Sequence, residues 1–394
     1  MLLAQDGFAA SDRIDNGLQS EVISGAIISA SCRQPSTLST VVQGLKDIRS
    51  DAFILFDSEF YVGSFPEADK FGKLTDYSYF KHPLQKIDLI NPASVQGFIK
   101  KVVDVQVEAG LDNITSPTIR IQTFNSGSET QVFSFLFGTL DYVKQNAADK
   151  KLYGSLLINE LALTNSHGLA EFLDTVTALR DYAGFYIIID RSSSTIPFWN
   201  NPDTLASLMY LVHVLSDNGF QIVVGYSDGD GLLSLATGAS YVASGWWQNT
   251  TNFTEGKFKS SGGRRRKKYY SYQLMNAVYQ EGELSSIVEH NLGSSVMGVT
   301  GLDDELAQDP LNVAWPDGTA ILHKWKALNQ RIQESVTSGD ETAKLEALKT
   351  SILAAKTLYE QIESTIDIEF DISNGSKKLD IWLKAIEIYQ GGVV

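Results

Sequence analysis

The sequence predicts an α/β chain built on an eight-stranded (β/α)8 barrel of the TIM type, with a C-terminal helical appendage. Three observations predict it. Four short runs between residues 152 and 247 (LYGSLLINELAL, GFYIIIDRSS, FQIVVGYSDGD, ASYVASGWW) are continuously apolar rather than alternating, as strands buried on both faces are. All but the last are followed by a helical pattern, so strands and helices alternate along the chain, which is the signature of a parallel sheet. No glycine-rich dinucleotide fingerprint follows the first expected strand, which disfavours the alternative, an open doubly wound sheet.

Residues 1–20 are polar with Gly and Asp and read as a loose lead-in. The first strand is expected in EVISGAIISA (21–30). A helix follows, with Leu38, Val41, Val42, Leu45 and Ile48 at helical spacing. The second strand is AFILFDSEFYVG (52–63). The aromatic, polar stretch 64–90 after it is longer than connections usually are, which makes it a lid or binding-loop candidate. Asn91-Pro92 is an N-cap with proline at the first helical position, opening a helix to about residue 109. The third strand is PTIRIQTFN (117–125), with a helix over 130–150.

The fourth strand spans 152–160 with a helix at 167–181, and the fifth spans 184–190. Asn201-Pro202-Asp203 opens a helix that Asn218-Gly219 stops. The sixth strand is 220–226, the short helix 231–238 follows, and the seventh strand is 240–246. An eighth is needed for closure, and KKYYSYQL (267–274) is assigned to it, with a helix after it. The barrel then covers 21–300 and a helical region 301–394. In that region HKWKALNQRIQESV (323–336) and the helix 341–364 flank a Ser338-Gly339-Asp340 loop, and 377–390 closes the chain. These helices are expected to dock on the barrel or to bind a protein partner or second copy.

Composition narrows the function classes. A net charge of −15 argues against a surface that coats nucleic acid or anionic membrane as a whole. Cys32 is the one cysteine, so no disulfide framework or multi-cysteine zinc site exists within the chain. The N-terminus lacks a secretory pattern, and no apolar stretch reaches the ~18 residues that span a bilayer. A cytoplasmic location with no membrane partner is the expectation.

In a barrel the chemistry sits at strand C-termini. Those ends supply Asp57 and Glu59, Gln122 and Asn125, Asn159 and Glu160, Asp190 and Arg191, and Tyr226 and Asp228. Glu160, Asp190 and Asp57 are the catalytic candidates, because paired carboxylates serve as acid and base in glycosidic-bond cleavage or transfer. The bland alternative is that these residues cap helices or shape turns, as Asp228 does within SDGDG. Magnesium is conceivable at an oxygen-rich mouth, and no other cofactor is implied. The run SSGGRRRKKYYSY (260–272) stands out in an acidic chain. With Arg264, Arg265, Arg266 and Lys268 it suits a phosphate-bearing ligand or nucleic acid held by 262–268. A solvated loop pairing with acidic surface is the competing account.

Trp246, Trp247, Tyr226 and Gln122 complete the expected binding set, with packing under the C-terminal helices as the alternative for the tryptophans. The histidines His82, His167, His213, His290 and His323 form no metal or triad motif, and no G-x-S-x-G elbow or P-loop occurs. Two functions are therefore carried forward. One is a barrel enzyme acting on a phosphate-bearing or nucleic-acid substrate. The other is a non-catalytic barrel subunit that binds nucleic acid or protein within an assembly.

Overall fold

The strand runs pair in parallel around a ring. In the computed structural model, residues 8–11, 193–197, 247, 261–265, 311–312, 314 and 393–394 are outside the described set, and all others are described. The strands are β1 (Leu2–Gln5), β2 (Gly25–Ser29), β3 (Phe53–Asp57), β4 (Asn113–Thr115), β5 (Arg120–Ile121), β6 (Lys151–Asn159), β7 (Gly184–Asp190), β8 (Gln221–Val224) and β9 (Tyr241–Ser244). β4 and β5 lie end to end along β6, with Asn113 opposite Lys151 and Arg120 opposite Leu157, so together they fill one position of eight. The order is β3-β2-β1-β9-β8-β7-β6-β4.

Because β1 is flanked by β2 and β9, the sheet curls until its edges β3 and β4 meet. At that joint side chains replace the ladder. Thr115 Oγ1 donates to Phe56 O at 2.6 Å, and Asn113 Nδ2 donates to Ile54 O at 3.4 Å. The buried Gln106 carboxamide accepts from Thr115 N (2.8 Å) and donates to Thr115 O (2.9 Å), so the β4 backbone is satisfied. The result is a nearly closed (β/α)8 barrel of the TIM type, not the open doubly wound sheet.

Packing explains the continuous apolar runs. Every residue of β7 is buried, and so is every residue of β6 after Lys151. Strands lie so close at two starts that only glycine fits. A Cβ on Gly25 would stand 1.9 Å from Phe53 O, and one on Gly184 would stand 1.8 Å from Gln221 O. Helices between strands begin at caps the sequence announces. Asn91 accepts from Ser94 N (3.1 Å) ahead of the helix Pro92–Glu108, and Asn201 accepts from Asp203 N (2.9 Å) ahead of Pro202–Asp217.

Three expectations are corrected. The lead-in over 1–20 contains a barrel strand, β1; four residues, LLAQ, are too short a run to register as a strand by pattern. The expected eighth strand, 267–274, lies outside the barrel. It supplies β10 (Lys268–Ser271) of a separate antiparallel hairpin with β11 (Asn276–Tyr279). Its Lys-Tyr-Tyr-Ser composition suits a two-stranded ribbon with one wet edge rather than a strand buried on both faces. The helix expected directly after it is that second hairpin strand, followed by the short helix Ser285–Glu289.

The C-terminal helices form as expected: Asp317–Ser335, Glu341–Ile366 and Lys377–Gly391. Trp325, fully buried, donates its indole N–H to Ser244 O at 3.0 Å and ties the first of them to the end of β9. Among the described residues no helix is long and apolar enough to cross a membrane.

Candidate active site

All eight strand positions run the same way, so their C-termini share one mouth. Two charged clusters occupy it. The central one starts at Asp57, the last residue of β3. Two residues on, Glu59 takes a left-handed backbone (φ 49°), and Tyr226, just beyond β8, does the same (φ 51°). Non-glycine residues held there are strained, and such strain concentrates at functional positions. Both side chains reach Lys257, which arrives on the short turn Glu255–Phe258 after β9. Lys257 Nζ lies 2.6 Å from Glu59 Oε1 and 2.7 Å from Tyr226 OH, and the Lys257 and Glu59 side chains are 0% exposed. Glu59 Oε2 accepts from Ser31 N at 2.6 Å.

Asp57 faces phenols rather than cations. Its Oδ2 accepts from Tyr61 (3.0 Å), Tyr186 (3.2 Å) and Tyr226 (3.3 Å), and its Oδ1 accepts from Glu59 N (3.0 Å). Burial, reinforced by the Glu59 charge and opposed by Lys257, pushes the Asp57 carboxyl up to about 6. Burial would depress Lys257, yet Glu59, Cys32 and Asp57 hold it above its ordinary value, so it stays an ammonium. Phe253 stacks edge-on over Tyr61 (5.4 Å) and Tyr226 (5.0 Å), and Phe65 and Phe258 complete the roof. Gln5 Nε2 and Ser29 Oγ are buried near Tyr186 and Tyr226 and find no protein partner of good hydrogen-bond geometry.

The rim cluster is a chain of ion pairs. Arg120 of β5 lies 2.6 Å from Asp190 Oδ2 and also pairs with Glu255. Asp190 Oδ1 accepts from Ser192 N at 2.9 Å. Glu160, the first residue past β6, pairs with Arg191 at 3.3 Å. Burial and the Asp190 charge raise the Glu160 carboxyl, and Arg191 offsets part of that rise. Arg191 in turn packs 4.7 Å over Trp199.

The structure thus brings Asp57 and Tyr226 into hydrogen-bond contact and sets Glu160 and Asp190 beside one another with guanidinium partners. The Gln122 side chain lies beside Arg120 and Asn159. Trp246 packs edge-on to Trp325 (6.2 Å) under the Arg13 guanidinium (5.1 Å). Arg264, Arg265 and Trp247 lie outside the described residues. Arg266 covers the Tyr279 ring at 3.5 Å, and Lys268 starts β10. The basic run follows the eighth strand position rather than joining the seventh to the eighth. Burial, with Asp6 and Glu59 nearby, pushes the Cys32 thiol well up, which makes it a poor nucleophile. Among the described residues no three His, Cys, Asp or Glu side chains converge as metal ligands. The mouth carboxylates are engaged by Arg, Lys and Tyr instead, so no step below uses magnesium.

Sequence reasoning missed Lys257 as a site residue. The signal available was a lone lysine between Phe253 and Phe258, with no motif around it.

No known family model matches the chain, and no curated protein matches it. Solved structures overlap it weakly. A fungal multi-domain β-N-acetylglucosaminidase has 13% identity and a TM-score of 0.41 over 85% of this chain and 42% of that one. The carboxyl transferase domain of Rhizobium etli pyruvate carboxylase has 9% identity and a TM-score of 0.34 over 99% of this chain and 61% of that one. A monomeric dihydrodipicolinate synthase variant has 9% identity and a TM-score of 0.35 over 100% and 97%. Overlaps this weak carry no argument about activity; the barrel rests on the strand pairing itself.

Proposed function

We propose that the protein is a barrel enzyme whose proton-transferring group is Asp57. The observation that carries this reading is a carboxyl at a strand end, buried under an aromatic roof and surrounded by three phenols, with Tyr226 linking it to the Lys257–Glu59 pair. A carboxyl held near 6 is poised to give or take a proton at neutral pH. The reaction we favour is cleavage or transfer at a glycosidic bond of a phosphate-bearing or nucleic-acid substrate. Such chemistry uses one carboxyl as acid and a second that stays ionised. Asp57 fits the first role. Glu160 and Asp190, each beside a guanidinium, are the candidates for the partner carboxyl. The segment 262–268 and Trp246 would contact the substrate outside the roof.

The test is turnover of nucleosides, nucleotides and aryl glycosides by wild type and by Asp57→Asn. Turnover that falls as pH rises through about 6, and that is lost in the variant, is the expected result. Full activity in Asp57→Asn would overturn the assignment.

A second reading, a non-catalytic barrel subunit, is favoured by the burial of Asp57, Glu59 and Lys257, none more than 4% exposed. On that reading the cluster is a keystone for the roof, and the C-terminal helices and hairpin bind a partner. Absence of turnover on every substrate, together with a partner captured by the intact chain and lost when Arg264 to Lys268 are replaced by serine, would favour it.

A further inference from the structure

The Asp57 cluster is sealed. Asp57, Glu59, Tyr226 and Lys257 are buried, and Phe253 and Phe258 above them are 0% exposed. A substrate meets Asp57 only after part of that roof moves. Two segments supply the roof, and they are fastened differently. The aromatic stretch after β3 is pinned to residues just past β2 and β3. Tyr79 OH donates to Ser58 O (2.8 Å), Tyr77 OH donates to Arg33 O (2.9 Å) and Lys73 N donates to Ser31 O (2.9 Å). Its Phe65, Leu74, Tyr77 and Tyr79 side chains are all buried.

The segment 253–258 is held by other loops and by the rim. Arg191 N donates to Phe253 O (2.9 Å), and Asp69 N and Lys70 N donate to Phe258 O (3.0 Å each). Glu255 pairs with Arg120 and donates its N–H to Ser192 Oγ at 2.8 Å. These attachments belong to no strand ladder. The inner side of the segment carries the cation of the site. Lys257 Nζ meets Glu59 and Tyr226, the two residues held in the left-handed backbone. Near the Tyr186 and Tyr226 phenols, Gln5 Nε2 and Ser29 Oγ are wholly buried with no partner, while Gln5 Oε1 accepts from Tyr226 N at 3.3 Å. Buried polar groups of this kind cost free energy until a partner reaches them, so the covered space is equipped for a polar ligand.

We propose that residues 253–258 form a lid, latched by Glu255, that lifts to admit substrate and on closing returns Lys257 to Glu59 and Tyr226. The site is complete only when the lid is shut, because the lid brings one of its charges. Segments outside the ladders open locally at less cost than the barrel unfolds, and a closed lid keeps water from the reacting groups. The opening itself is independent of what Asp57 does; its purpose alone rests on the function proposed above.

Cys32 reports the motion. It is the one cysteine of the chain, and it is buried within the field of Glu59 and Lys257. The test is labelling of the full chain by a chromogenic aromatic disulfide in dilute urea, with hydrogen exchange followed over 253–260 and 66–80. The wild-type labelling rate should be nearly flat in urea, since lifting a short turn exposes little surface. Glu255→Gln, in which Arg120 keeps Asp190, should raise the rate about tenfold, the loss of one charge-assisted contact, and should speed exchange over 253–260. Labelling that climbs with the full slope of global unfolding from the first addition of urea would overturn the lid. So would a rate unchanged in Glu255→Gln, or exchange that quickens at 66–80 while 253–260 stays protected. Turnover plays no part in these readouts, so a failed lid leaves the Asp57 assignment standing, and a failed Asp57 assignment leaves the lid.

Discussion

The two charged clusters of the mouth treat carboxylates in opposite ways. At the rim, Asp190 and Glu160 meet guanidinium groups. At the centre, Asp57 meets three phenols and lies beside a second acid, Glu59, which holds the nearby lysine for itself. At Glu160 the Arg191 guanidinium offsets part of the rise that burial imposes. At Asp57 burial and the Glu59 charge outweigh Lys257 and the hydrogen bonds, so the carboxyl keeps its proton to higher pH. The difference depends on partners drawn from distant strands.

The comparison breaks first if the central pair proves dispensable. Lys257→Met leaves Glu59 charged and buried alone, which should cost about 3–5 kcal/mol in urea unfolding. The double variant with Glu59→Gln should recover much of that loss. A single variant as stable as wild type would show that the pair does not hold the roof.

Asp57 sharpens the contrast through pH. Its folded value, about 6, lies above the unfolded value of 3.8. The native state therefore binds the extra proton between those values, and the stability tied to it is present below about pH 4 and lost as pH rises through 6. Asp57→Asn should gain on wild type by about 3 kcal/mol between pH 4 and 7. A difference that stays flat over that window would place Asp57 with the rim carboxylates. Arg120→Met, the smallest effect, should cost about 2 kcal/mol in urea unfolding at neutral pH by stranding Asp190 and Glu255.

Much of the fold was legible because it is written locally. The run GFYIIID predicts a strand at 184–190, and β7 is Gly184–Asp190. Asn91 and Asn201 announce helix starts that the structure caps with their side chains. What failed was either too short or too distant. β1 is four residues long and is a strand only because β2 and β9 accept it on both sides. Without β1 a count of eight needs a strand elsewhere, and 267–274 is the run that fills it. Asp57 and Glu59 share one strand end in the sequence, but Lys257 lies 198 residues from Glu59, and no spacing rule joins them. Tyr226 is expected in the binding set, whereas the phenols of Tyr61 and Tyr186 read as ordinary residues until the ring closes around Asp57.

The joint between β3 and β4 has a mechanical meaning. Elsewhere the staves of the barrel are fastened by backbone ladders, and here the Thr115 and Asn113 side chains do that work, while Gln106 satisfies the β4 backbone. Sliding β3 along this joint breaks no main-chain bond on that side. Asp57 is the tip of that stave, and its height in the mouth is set from the other side alone, by the backbone ladder to β2 in which it stands opposite Ser29.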